Sequence, residues 1–413
     1  MEKHTVNDNS ESDQFNSRES DCGLSRRETL RLAGRAALFV GATWAVKRYD
    51  ALNFSNVPHL DTVDYERVAL DAHVDLGRRF GADAIADGLT YERASRADFA
   101  LNWTHYHVMS AALDTTELPN STGDQHFLLA KSEAGLWHYW DGKPVRGMPG
   151  YGDRVFVRPD KVMKYLDDNA WDGHALARLY DRTKNPEILR QMIAVFELAV
   201  SETEESGLCG SGAGAYWSQH RKSINTISNA PNAMLGFKLY EMTQDESFLE
   251  PSHRWMSWVY ENMYDRPTGL FLDHINKGCK TDRAIWTYNQ GVMIGANTLA
   301  FRVSGDVSYL EESQRIIGRS MDFYNHLVPL STQPIKFNVI YFRNLLYHAA
   351  VMHDRALTEK TISIMERYYQ EKWPKFIVHD KHHSRDDETI EHWSSLQILA
   401  MLAMPINKHR NLV

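Results

Sequence analysis

Cysteine is scarce: Cys22, Cys209 and Cys279 are the three in a chain of 413 residues. An odd number at such wide spacing excludes a disulfide framework and a Cys-x-x-Cys metal or redox motif. Only a bond between Cys209 and Cys279, formed after export, stays open. Although 19 histidines are present, none forms the His-Glu-x-x-His pattern or the close cluster that holds zinc, and no metal or cofactor is implied. Excess positive charge is also missing. With 46 Lys and Arg against 54 Asp and Glu, the formal charge is −8, which argues against a general affinity for nucleic acid or anionic membranes. The apolar stretch Leu32 to Val46 is too short for a membrane span. These absences leave a neutral ligand as the better fit.

The composition is that of a globular protein, 43% hydrophobic and 24% charged, which excludes disorder for most of the chain. Aromatics reach 11%, with 11 Trp and 19 Tyr. Flat rings with polar edges suit the faces of sugars, although a large core uses the same residues. The first fifty residues are set apart. Residues 1–24 are polar and hold too few apolar side chains to order themselves. They lead into Ser25-Arg26-Arg27-Glu28-Thr29-Leu30-Arg31 and the apolar stretch, which together resemble a twin-arginine export signal. Thr29 stands where that pattern prefers Phe, Arg35 interrupts the apolar region, and no clean cleavage site follows. The alternative is a basic amphipathic helix on a cytoplasmic protein.

A repeat of about sixty residues organises the remainder. Asp168 to Leu189 is matched by Ser228 to Leu249, with Asn169/Asn229, Ala170/Ala230, Leu179/Leu239, Tyr180/Tyr240, Thr183/Thr243 and Leu189/Leu249 identical. A third copy runs from Tyr288 to Leu310, placing Asn289 in the register of Asn169 and Asn229 and reaching Leu310 after a one-residue slip. Each copy reads as helix, short polar turn, helix. Leu176, Leu179 and Tyr180 recur at helical spacing, Lys184-Asn185 supplies a turn, and Pro186 suits the first turn of the next helix. Fainter hairpins follow at Phe337 to His353 with Thr358 to Trp373, and a half at Glu388 to Met404; Val63 to Arg79 is also helical. Such hairpins cannot bury their apolar faces alone and must stack. Roughly six of them closing on themselves give an all-α (α/α)6 toroid over residues 60–405, with a cleft at one end of the inner ring. An open solenoid with a concave partner-binding surface is the alternative architecture.

The strongest chemical signal is Tyr165-Leu166-Asp167-Asp168-Asn169-Ala170-Trp171, at the start of the first inner helix. Capping explains one acid there and does not require two. Glycosidic cleavage needs a proton donor and a second carboxylate, and neighbouring carboxyls resist ionising together, so one stays protonated while the other is charged. Around them, Asn169, Trp171, Trp217, Asn229, Trp286, Tyr288, Asn289 and Gln290 combine aromatic platforms with amides able to grip sugar hydroxyls. Asn229 and Asn289 could equally cap their helices. Near the C-terminus, Lys336-Phe337 and Arg343 read as surface or structural residues more than substrate contacts.

Taken together, Asp167-Asp168-Asn169-Ala170-Trp171, the Lys222 to Ala230 segment, Trp286-Thr287-Tyr288-Asn289-Gln290-Gly291 and the weaker Lys336-Phe337 with Arg343 resemble glycoside hydrolase family 76, whose members include endo-α-1,6-mannanases and fungal cell-wall remodelling proteins. The resemblance implies the (α/α)6 fold, no metal, a retaining mechanism with Asp167 as nucleophile and Asp168 as acid/base, and an α-mannan or mannose-containing oligosaccharide as substrate for a monomer. Two places depart from the family: the region around Trp137, Trp140 and Gly147 to Gly152, and Tyr216-Trp217, where two tryptophans are common. Two other functions compete. One is a cell-envelope transglycosidase or glycan-binding protein on the same fold; the other is a sugar epimerase using His174 or His220, neither of which has an evident partner.

Overall fold

The structure, a computed structural model, describes residues 63–82, 87–92, 98–144, 147–377 and 388–413. The twin-arginine-like segment and the polar residues before it lie outside the described residues. Among the described residues twelve α-helices follow in order: α1 Tyr65–Phe80, α2 Asn102–Thr115, α3 Gly123–Leu136, α4 Leu166–Thr183, α5 Pro186–Ser201, α6 Thr226–Thr243, α7 Leu249–Asn262, α8 Thr287–Ser304, α9 Val307–His326, α10 Ile335–Val351, α11 Arg355–Ile377 and α12 Glu388–Ala403.

The helices alternate between two kinds of burial. In α6, α8 and α10 nearly every residue before the last turn is buried, the signature of a helix surrounded by protein. The intervening helices are amphipathic: α5 buries one stripe, Ile188, Met192, Val195, Phe196 and Ala199. The even-numbered helices pack side by side in the cycle α2–α4–α6–α8–α10–α12 and back to α2. Outside them, α3, α5, α7, α9 and α11 each cover the inner helix that precedes them in the chain. The last inner helix, α12, receives its cover from the other end of the chain, since α1 packs against it. This is the closed (α/α)6 ring. The helical pattern at Val63 to Arg79 is thus the outer half of the sixth hairpin, and the open solenoid is excluded. The ring also extends past residue 405, because His409 and Leu412 of the tail are buried against α10.

The repeat has a local cause in the turns between inner and outer helices. Thr183-Lys184-Asn185, Thr243-Gln244-Asp245 and Ser304-Gly305-Asp306 are built alike. The hydroxyl bonds back to the carbonyl four residues earlier, at 2.9, 2.7 and 2.7 Å. The middle residue is left-handed, with φ of 51, 60 and 72°. The Asn or Asp then caps the outer helix, accepting the N–H two residues on at 3.0, 2.9 and 2.9 Å. These turns are minimal, whereas the loops at the other end, 137–165, 202–225 and 263–286, are long. All inner-helix N-termini open on the long-loop end, which is where a cleft can form.

The third copy corrects the register read from the sequence. Helices α4, α6 and α8 have equal length, but α8 starts one residue later than a strict repeat would place it. The slip therefore precedes the helix, and the counterpart of Asn169 and Asn229 is Gln290, with Asn289 one position earlier. Close contact between α8 and α10 depends on Gly291 and Gly295: a Cβ would meet the Tyr341 Cα at 2.7 Å and the Asn344 Oδ1 at 2.0 Å.

The left-handed turn residues give a paired stability prediction. Replacing Gln244 by Gly relieves a side-chain clash and should stabilise by about 0.5–1 kcal/mol, while Gly305→Ala should destabilise by about 1 kcal/mol. Denaturant midpoints of the two variants measure this, and shifts of equal sign would contradict it.

Candidate active site

The long loops cross the mouth of the ring, where buried backbone groups need partners. Three of the inner helices provide one in the same way, from the fourth residue of each. The Asn169 Oδ1 accepts the Tyr151 N–H at 2.7 Å while its Nδ2 donates to the Tyr151 carbonyl at 2.9 Å. Asn229 does the same to Ala215, at 2.8 and 3.1 Å, and Gln290 to Phe271, both at 2.9 Å. In all three the amide nitrogen also donates to the carbonyl of the residue preceding the helix, Tyr165, Asn225 or Trp286. A side-chain amide here stands in for a neighbouring strand.

Each clamped residue fixes the one two positions later: Asp153, Trp217 and Asp273. These are the loop residues that act on the acid pair. The Trp217 Nε1 donates to Asp167 Oδ2 at 2.9 Å, Asp273 raises the pKa of Asp167, and Asp153 raises that of Asp168. Trp217 is held doubly, its carbonyl accepting the Leu166 N–H and its own N–H reaching the Ser223 carbonyl, each at 2.9 Å. The disulfide Cys209–Cys279, with Cα atoms 5.6 Å apart, ties the Trp217 loop to the loop that carries Asp273.

Asp167 and Asp168 occupy the first turn of α4, where the helix dipole favours carboxylates. Burial opposes ionisation, and it dominates. Desolvation raises Asp167 to about 7, against the Trp217 hydrogen bond, which lowers it. Asp168 is raised well above the usual carboxylate range, first by desolvation and then by Asp167, Asp172 and Asp153. Asp172, one turn deeper, is fully buried and also raised by desolvation; its Oδ2 accepts from Asn102 Nδ2 at 2.7 Å. The pair is thus asymmetric. Asp167 has a donor and faces Asp273, whereas Asp168 stands among acids that hold its proton in place.

The other sequence candidates fall into two groups. Trp217 is 38% exposed, and Trp286 is half-buried beside the stacked rings of Tyr288 and Phe337, 3.9 Å apart. The Tyr288 hydroxyl donates to Asp273 Oδ1 at 3.4 Å, and Asn289 Nδ2 reaches the same oxygen at 3.3 Å. Of these residues Trp217 contacts Asp167 directly, while Tyr288 and Asn289 reach Asp273. In place of the sugar contact expected of them, the amides of Asn169, Asn229 and Gln290 are engaged by backbone, and buried Trp171 packs against Trp103 and Tyr106 inside the ring. His174 is likewise interior: its ring bonds the Pro231 carbonyl at 3.0 Å, and burial lowers its pKa to about 4. Arg343 is buried and pairs with Asp114, a structural role as expected.

Asp153, Asp172 and Asp273 were not found from the sequence. Among the described residues, Asp273, His274 and Asp282 have ligand atoms within 4.8 Å of one another. His274 Nδ1 lies 2.9 Å from Asp273 Oδ2, and that hydrogen bond raises its pKa.

The sequence profile of glycosyl hydrolase family 76 matches residues 133–395, more than half of the chain. The mannan endo-1,6-alpha-mannosidase DCW1 of Candida glabrata is 25% identical over 176 residues, 39% of this chain, and the match spans only about two fifths (39%) of that relative. A family 76 alpha-mannanase of Bacteroides thetaiotaomicron superposes with a TM-score of 0.71 at 16% identity, covering 83% of this chain and 97% of that one. An inactive alpha-1,6-mannanase variant of Salegentibacter sp., with two consecutive aspartates replaced by asparagine and alpha-1,6-mannotriose bound, superposes at 0.65 with 18% identity, covering 82% and 99%.

Raised carboxyl pKa values have a consequence for stability. Unfolded, both acids ionise near the ordinary value of 3.8, whereas folded they keep protons to higher pH. The native state therefore binds more protons in that window, and stability falls as pH rises through it. Asp168→Asn should raise the melting temperature at pH 7 and leave it nearly unchanged near pH 3, as measured by calorimetry. An equal loss at both values would contradict this.

Proposed function

Because the chain belongs to glycosyl hydrolase family 76, we propose that it is a retaining glycosidase of α-mannosidic linkages, acting on α-1,6-mannan or mannose-containing oligosaccharides. The observation that carries this reading is the asymmetric acid pair at the mouth of the ring. Asp168, protonated, donates to the glycosidic oxygen as the C–O bond breaks. Asp167, the carboxylate given a hydrogen bond by Trp217, attacks the anomeric carbon and forms a glycosyl ester. Asp168, now ionised, takes a proton from water, which displaces Asp167 and returns the pair to its first state. Positive charge on the sugar ring at each transition state is met by the acidic mouth, where Asp273 and Asp153 stand in a partly desolvated setting. Trp217, Trp286 and the Tyr288–Phe337 stack offer ring faces to neighbouring sugars, and Asn289 and Tyr288 orient Asp273.

Support comes from the Salegentibacter enzyme, whose variant with two consecutive aspartates replaced is inactive and holds alpha-1,6-mannotriose. The Cys209–Cys279 bond favours a protein working in an oxidising compartment, in line with export. No helix among the described residues is long and apolar enough to cross a membrane.

Incubation with α-1,6-mannan should release reducing ends with retained α-configuration, followed by NMR, and both Asp167→Ala and Asp168→Ala should lose at least ~10³-fold in rate. With an aryl mannoside whose leaving group needs no protonation, Asp168→Ala alone should still release the aryl group. Full activity in either variant removes that acid from the mechanism; transfer products in place of free sugar would identify a transglycosidase. Asn229→Ala, which frees Ala215 and so displaces Trp217, should lower kcat by about 10–100-fold. An unchanged kcat would show that the clamp does not position the site.

A further inference from the structure

Three residues beyond Asp153, the loop that leads to α4 carries Phe156, at 65% exposure the most exposed phenylalanine or tryptophan among the described residues. Its backbone is left-handed, with φ of 56°, a region where Cβ crowds the following carbonyl and a bulky side chain is an outlier. Elsewhere the same conformation has a local reason: Lys184 and Gln244 end helices, and Cys209 and Cys279 share the disulfide. Phe156 ends no helix and gains little burial. Its conformation and its exposure both work against folding, a combination expected of a residue kept for a ligand.

The position is firmly built. The Gly152 N–H donates to the Tyr139 carbonyl and the Asp153 N–H to the Met163 carbonyl, each at 2.8 Å, and the Asp153 carbonyl accepts the Asn102 N–H at 2.9 Å. Val155 is buried next to Phe156 in the chain. The Phe156 ring meets Phe99 with centroids 5.3 Å apart at 67°, and Phe99 stacks at 5.4 Å on buried Tyr91. Three rings thus lead from the interior to solvent, and the outermost keeps an open face. The ridge stands at the mouth: the Tyr91 carbonyl accepts the Thr389 hydroxyl at the start of α12, at 2.8 Å, and Phe99 lies three residues before α2. Because Asp153 acts on Asp168 and three residues of chain reach at most ~10 Å, one glycan chain can touch both the ring and the acid pair. Trp217, on the loop leading to α6, contacts Asp167 from one side of α4; the ridge beside α2 lies on the other.

We propose that Phe156 is a platform for a mannosyl unit remote from the cleaved bond, stacking on the apolar face of a substrate chain that continues past the acid pair on the α2 side. This rests on the glycosidase reading and extends its site. Phe156→Ala should lower kcat/KM about 10-fold on α-1,6-mannohexaose, mainly through KM, and less than about 2-fold on α-1,6-mannotriose. Phe156→Trp should retain the preference for the longer chain. Phe127→Ala, which removes an exposed ring from the outer helix α3, should leave both rates unchanged. Phe156→Gly, which suits the left-handed backbone, should lose the same preference without a fall in melting temperature, separating sugar contact from packing. With an active wild type, an unaltered rate of Phe156→Ala on the hexaose, or an equal loss on both substrates, overturns the platform and leaves the glycosidase reading standing. A wild type that cuts neither oligosaccharide overturns both.

Discussion

A loop that crosses the mouth of a helical ring brings peptide groups into a place with little water, and each must find a partner or the loop cannot lie there. The side-chain amide of Asn169, Asn229 or Gln290 meets that demand because it offers a donor and an acceptor with the spacing of a peptide unit. A Ser or Thr hydroxyl donates and accepts from one atom and so lacks that spacing. The active mouth of this protein depends on that match. The clamps fix Tyr151, Ala215 and Phe271, and so the positions of Asp153, Trp217 and Asp273, which add to the dominant effect of burial on the protonation of Asp167 and Asp168.

The resulting site is acidic and half dry, held against the tendency of carboxyl groups to stay in water. Burial raises all of Asp167, Asp168 and Asp172, and the helix dipole offsets only part of that. The molecule bears this locally unfavourable cluster because the inner ring around it is packed on every side. What separates the two acids is a single indole N–H, from Trp217 to Asp167, together with the deeper carboxyl beneath Asp168. An arrangement stable without function would have neutralised the cluster with a Lys or Arg. Here the cations sit elsewhere: Arg154 pairs with the outer face of Asp153, and Arg178 and Arg343 are confined to the axis below.

Much of this was legible in the sequence, and the reasons are specific. The sixty-residue repeat is visible because the same three-residue turn, with its left-handed middle residue and its cap, ends each of three inner helices. Adjacent acids at a helix start stand out because capping needs only one. The clamps were misread as sugar contacts because an amide beside aromatic residues at a helix start has the same appearance in either role. The third copy was misaligned because the inserted residue precedes α8, and an Asn stands beside the functional Gln. Asp153 and Asp273 were invisible because the loops between a clamp and its target differ in length, leaving no fixed spacing to read. Closure of the ring by α1 joins the two ends of the domain, which no local pattern can show, and the Cys209–Cys279 bond needed the two loops to be placed first.

The central claim, that Asp167 attacks the sugar while Asp168 moves the proton, is tested most directly by trapping the covalent intermediate. A mannosyl donor with a fast leaving group and a slowed second step, followed by protease digestion and mass spectrometry, should leave the mannosyl mass on the peptide containing Asp167, with fragmentation assigning it to that side chain. A label on Asp168 or Asp273, or turnover of the donor with inversion of configuration, would contradict the account.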